Sequence, residues 1–91
     1  MKDKRYVIAK NLITTGYVRS FSDLFEIIPK TVIVTDLGMN NRRFSRLITN
    51  VENFLLYDVF RMAALLEISE PEMVNLIYVQ YRTDNQREAI V

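Results

Sequence analysis

The stretch KTVIVTDLGMNNRRFSRLIT, residues 30–49, constrains this chain more than any other. With Lys30 as its first position, apolar side chains fall at positions four, eight, ten, fifteen and eighteen: Ile33, Leu37, Met39, Phe44 and Leu47. Gly38 sits between the two halves, where a reversal demands a backbone conformation that glycine adopts cheaply. Neither half contains proline. The spacing predicts two helices locked at a steep angle across a tight turn, a helix-turn-helix.

One part of this stretch argues against helix. Thr31, Val32, Ile33, Val34 and Thr35 are all β-branched and would ordinarily suggest a strand. Each costs ~0.5 kcal/mol relative to alanine in a helix, so the run costs about 2–3 kcal/mol. Burying Ile33, Val34 and Leu37 returns roughly 1.5–3 kcal/mol apiece. Burial outweighs propensity, and the expectation is helix.

The rest of the composition agrees. Two glycines and two prolines in 91 residues leave little material for the turns of an all-β fold. A chain that is 49% hydrophobic and 25% charged should fold, and its length suits one domain. No apolar run is long enough to span a bilayer, and MKDKRYVIAK lacks the apolar core of a secretory signal. The expected location is the cytoplasm, with no membrane partner. Cysteine and histidine are absent, which removes disulfides, thiol nucleophiles, thiolate zinc sites and the usual base near neutral pH. The carboxylates show no calcium-loop spacing, and there is no glycine-rich phosphate loop. Neither enzyme activity nor a cofactor is expected.

The net charge of +1 hides a division along the chain. Lys2, Lys4, Arg5 and Lys10 against Asp3 give the first ten residues +3. Residues 38–51 carry Arg42, Arg43 and Arg46 with no acid, again +3. Residues 52–72 carry Glu52, Asp58, Glu67, Glu70 and Glu72 against Arg61, or −4. Basic charge thus gathers on the second half of the central stretch, where a phosphate-facing surface would want it. A merely solvated helix face is the plain alternative.

The run LGMNNRRFSRLITN resembles the second and third helices of the Cro/lambda-repressor-like helix-turn-helix family (XRE type). LLYDVFRMAALLEIS and PEMVNLI resemble, more weakly, its fourth and fifth helices. The resemblance covers residues 20–78 and implies an all-α, five-helix DNA-binding core. Residues 1–19 then form an additional N-terminal helical extension. Val34 stands where the family usually has a small residue, and Glu67 where many members have glycine, so a different cap is expected there. The resemblance implies a recognition helix over 41–49 lying in the major groove. Asn41, Arg42, Ser45, Arg46 and Thr49 fall on its outward side. Arginine can grip guanine O6 and N7, and asparagine adenine N6 and N7, with paired hydrogen bonds. Arg43 lies toward the flank, where a phosphate contact is expected. Lys30 and Thr31 match family positions that touch the DNA backbone. Asn40 is a further candidate, although an asparagine before a helix commonly serves as its cap.

Elsewhere the grammar is helical. Apolar rows at Tyr6, Ala9 and Ile13 and at Ile8 and Leu12 suggest a first helix that ends at Gly16, with a short strand over 6–8 as the competing reading. Ser20 and Asp23 form a capping box before the stripe Phe21, Leu24, Phe25 and Ile28, which Pro29 closes. Residues 49–53 read as a polar connection. The next helix, from residue 55 or 56 to 66, presents Leu56, Val59, Phe60, Ala63 and Leu66 inward, with Asp58 and Arg61 outside. Ser69, Glu70, Pro71 and Glu72 start the last helix, whose inward residues are Met73, Leu76, Ile77 and Tyr81. Residues 83–91 read as a frayed tail.

These readings predict a sequence-specific double-stranded DNA binder, repressor-like, acting as a homodimer. Tyr78, Val79 and Tyr81 are candidates for the dimer surface or for packing under the N-terminal helix. The alternatives are a helical protein-interaction module and an antitoxin-like protein holding a protein partner.

Overall fold

The computed structural model describes residues 3–89, with side chains up to Gln86; Met1, Lys2 and the last two residues lie outside it. The described chain is all-helical. Its α-helices are α1 (Arg5–Thr14), α2 (Lys30–Leu37), α3 (Asn41–Thr49), α4 (Leu56–Leu66) and α5 (Glu70–Ala89). Two 3-10 segments, Phe21–Glu26 and Val51–Asn53, lie between them. The β-branched run is helical, as the burial argument required: Ile33, Val34 and Leu37 all enter the core.

Phe21–Glu26 was expected to open an α-helix and is 3-10 instead. Asp23 reaches back to the Ser20 N–H at 3.4 Å, and Pro29 bars Ile28 from continuing an α-helix. The 3-10 geometry aligns i with i+3 and sends Phe21 and Leu24 inward together. Phe21 meets Phe54 edge-on at 5.2 Å and Phe44 at 6.4 Å, and Phe25 meets Phe44 at 6.1 Å. Each such pair contributes about 0.5–1.5 kcal/mol beyond its buried area. This aromatic cluster holds the inner face of α3. Val51, within the supposedly polar connection, is also buried.

α1 is part of the bundle rather than an appendage. Tyr6 and Ala9 are buried in the common core, and the Tyr6 hydroxyl donates to Asp36 Oδ2 of α2 at 2.6 Å. The second apolar row of α1 does not pack in full: Ile8 is exposed and Leu12 is half-buried. Gly16 ends the helix region at φ +86°, as expected.

α4 is turned about its axis relative to the expectation. Asp58, Val59, Met62, Ala63 and Leu66 face inward, while Leu56 and Phe60 are exposed. The apolar pattern of this helix is broad enough to allow either face; in the observed one Asp58 meets its hydrogen-bond donors Arg43 and Leu55 N. α4 ends at Glu67 in the left-handed region (φ 55°), a glycine-type ending made without glycine, where a different cap was expected. α5 starts with a reciprocal cap, Glu72 Oε1 accepting from Ser69 N at 3.1 Å and Ser69 Oγ accepting from Glu72 N at 3.2 Å. Met73, Leu76 and Ile77 are buried, but Tyr81 is exposed. The tail read as frayed from residue 83 continues the helix to Ala89. No described helix is long and apolar enough to cross a membrane.

Candidate nucleic-acid interface

α2 ends in a left-handed Gly38 at φ +66°, with Gly38 N donating to Thr35 O and Met39 N to Val34 O, each at 3.1 Å. Asn40 then starts α3: its Oδ1 accepts from Arg42 N at 2.9 Å and Arg43 N at 3.1 Å. The cap role suggested for Asn40 is therefore occupied, and its side-chain oxygen is committed to the helix. Phe44 and Leu47 point into the core and Ile48 is half-buried. That inner seam leaves two rows outside, Asn41, Ser45 and Thr49 at i, i+4, i+8, and Arg42 and Arg46 at i, i+4. All five residues are exposed. Neighbours at this spacing lie about 5–6 Å apart between Cβ atoms, close enough for one short ligand surface to meet both arginines. Thr49 Oγ1 is turned back onto Ser45 O at 3.1 Å. Among the described residues the Arg42 and Arg46 guanidiniums make no hydrogen bond or ion pair.

Arg43, expected at the flank as a phosphate contact, behaves differently: in the free protein it is paired with a carboxylate of α4. Its Nη1 and Nη2 donate to Asp58 Oδ1 and Oδ2 at 3.2 and 2.5 Å, a two-pronged pair that matches the guanidinium fork to the carboxylate. The hydrogen bonds to Asp58 raise the Arg43 pKa above its ordinary value, with desolvation opposing them. Asp58 is the buried charged residue of the described core, and Leu55 N is its third donor at 3.2 Å. Asp58 was expected outside; pairing with Arg43 is what makes its burial affordable.

Arg61, also expected outside, is half-buried. Its Nη2 donates to Leu37 O at the end of α2, and its guanidinium lies 5.5 Å from the centre of the Tyr57 ring. Sequence reasoning missed Asp58, Arg61 and Tyr57 as neighbours of this site. The available signal was Asp58 itself, an acid three residues after Leu55 in the first turn of a helix, where it can take the cap N–H.

Lys30 and Thr31 stand exposed in the first turn of α2. Thr31 O is occupied by Thr35 Oγ1 at 2.7 Å, and no described group pairs with the Lys30 amine. The larger depressions of the surface lie elsewhere. One separates the end of α1 from α5 and is lined by Ile13, Val18, Leu76 and Val79. A second, shallow one crosses from α4 to α5 between Phe60, Val74 and Tyr78. Val79 thus turns toward the N-terminal segment, while Tyr78 and Tyr81 remain exposed on the other side of α5. No group of acidic side chains among the described residues could hold a metal ion.

Comparison with family models, with curated proteins and with solved structures yields no match for this chain.

Proposed function

We propose that this chain binds double-stranded DNA sequence-specifically and regulates transcription, in the manner of the Cro/lambda-repressor-like proteins its central stretch resembles. The observation that carries the reading is the outer face of α3. It presents Arg42 and Arg46, without partners among the described residues, beside Asn41, Ser45 and Thr49, in a segment that contains no acid. An exposed basic helix that follows a tight turn is a shape the major groove admits. Arg42 and Arg46 displace counterions and read base edges, and Lys30 and Thr31 at the start of α2 touch phosphates. A homodimer would read half-sites about 34 Å apart. Exposed Tyr78 and Tyr81 on α5 are the residues offered for that contact.

The test is a titration with duplex fragments selected from the source genome at several salt concentrations. The logarithm of affinity should fall linearly with the logarithm of salt, by about 0.9 for each phosphate neutralised. Arg42→Ala with Arg46→Ala should remove specific binding and leave the helical circular-dichroism signal unchanged. Affinity equal to that of the parent protein would end the proposal.

A second reading is a helical protein-interaction module, antitoxin-like in holding a protein partner. It is favoured by the exposed apolar side chains Leu56, Phe60, Val74 and Tyr78 on α4 and α5. Such a module would show no salt-dependent affinity for duplex DNA.

A further inference from the structure

Gly38 turns the chain in open space: a Cβ built there would meet nothing within 4 Å. Side-chain packing around the glycine therefore does not set the dihedral angles of the turn. Its local hydrogen bonds run back to α2, and the Asn40 cap belongs to α3. Neither joins one helix to the other. Two residues one turn apart on α4 do. Asp58 holds Arg43 in the first turn of α3, and Arg61 holds the Leu37 carbonyl at the last turn of α2. They grip the chain on opposite sides of Gly38.

The chemistry of both grips is directional. A buried carboxylate stabilises little compared with an apolar residue of its size, but it fixes where its partner must lie. Both Asp58 oxygens are engaged, and no buried side-chain polar atom among the described residues lacks a hydrogen-bond partner. Leu37 O is one of the carbonyls that a helix end leaves without an intrahelical donor. Arg61 supplies that donor from another element, while Tyr57 lies against its guanidinium.

We infer that Arg43 and Arg61 are positioning residues, which clamp the two sides of the Gly38 turn to α4 and thereby aim the Arg42–Arg46 face of α3 outward. The inference rests on the DNA-binding reading for what that face meets, but the clamp is a property of the free protein. It divides the arginines of this region by role: Arg42 and Arg46 contact the ligand, and Arg43 and Arg61 hold the helix that carries them.

Two measurements test it. The first needs no DNA: amide hydrogen exchange of the free protein, followed by NMR, for Arg43→Gln, Asp58→Asn, Arg61→Gln and the Arg43→Gln/Asp58→Asn double variant. The α3 amides should exchange at least roughly tenfold faster, measured against those of α1 in the same variant. The double variant should add little to either single change, because both remove one interaction. Equal acceleration in α1 and α3, or none in α3, overturns the clamp. The second is the salt titration. Arg43→Gln should weaken binding with an unchanged slope, whereas Arg42→Ala should lower the slope by about 0.9. A slope lowered by Arg43→Gln would make Arg43 a phosphate contact and overturn its positioning role. If the parent protein shows no salt-dependent binding, the DNA reading fails, and the exchange measurements still decide the clamp.

Discussion

The solvent face of α3 and the face of α4 that meets the turn each use a pair of arginines in contrasting ways. On α3, Arg42 and Arg46 extend into solvent with no described acceptor. Against α4, Arg43 is forked onto buried Asp58, and Arg61 lies against Tyr57 and donates to Leu37 O. A count of local charge treats Arg42, Arg43 and Arg46 alike. What separates them is the helical period: Arg43 lies one residue before the buried Phe44 and so stands at the edge of the inner seam, within reach of α4. Available charge is a property of the face, not of the segment.

The largest effect that would break this contrast is on binding. Arg42→Ala with Arg46→Ala should cost at least roughly 30-fold in affinity for specific duplex, since each well-placed arginine contact contributes about 1–3 kcal/mol. Stability should change by less than about 0.5 kcal/mol, because both side chains are exposed. Equilibrium titration and urea denaturation of the same samples check the two halves.

The opposite signature belongs to the α4 side. Asp58→Ala should lower unfolding stability by about 2–3 kcal/mol, because it strips the donors Arg43 and Leu55 N of their shared acceptor. Urea denaturation measures it; a loss as small as that of a surface substitution would show that the pair carries no strain on removal.

A smaller effect sharpens the comparison from the other side of α2. The Tyr6 phenol is pushed above its ordinary pKa of 10.0, first by burial and then by its hydrogen bond to Asp36. A raised pKa in the folded state means that the contribution is complete below pH ~10 and is lost as pH rises beyond it. Tyr6→Phe should therefore cost about 1 kcal/mol at pH 8, the net worth of one hydrogen bond. The gap between parent and variant should narrow by pH 11, as denaturation at the two pH values would report.

A change of similar size is expected at the turn itself. Gly38→Ala meets no steric neighbour, so its cost is the left-handed backbone alone, about 1 kcal/mol. Thermal unfolding is sufficient to detect it. Glu67 shows that the chain tolerates such a cost elsewhere, adopting φ 55° with a full side chain at the end of α4.

Much of the architecture was legible from local rules. Helical spacing located α1, α2, α3 and α4, and the glycines at 16 and 38 marked left-handed positions. The Ser69–Glu72 cap was readable because it is made between residues three apart. The errors have a common origin. Leu56 and Phe60 were expected in the core and Asp58 outside because helical periodicity fixes a stripe's width but not its rotation about the axis. Tyr81 was misjudged because α5 runs on as helix, to Ala89, past the end of its buried stripe. Phe54 and Val51 contribute to the core from a connection whose polar neighbours concealed them.

The order of residues alone determined an all-helical chain with a glycine reversal between α2 and α3, because capping, turning and periodicity act between residues a few positions apart. It likewise determined that Arg42 and Arg46 share a face of α3. Tertiary structure alone decided that Arg43 belongs to Asp58 and Arg61 to Leu37, because those bonds close over 15 and 24 residues. Whether a charge at such a distance is free or taken depends on how α4 is rotated, and that rotation is settled only when the whole core packs.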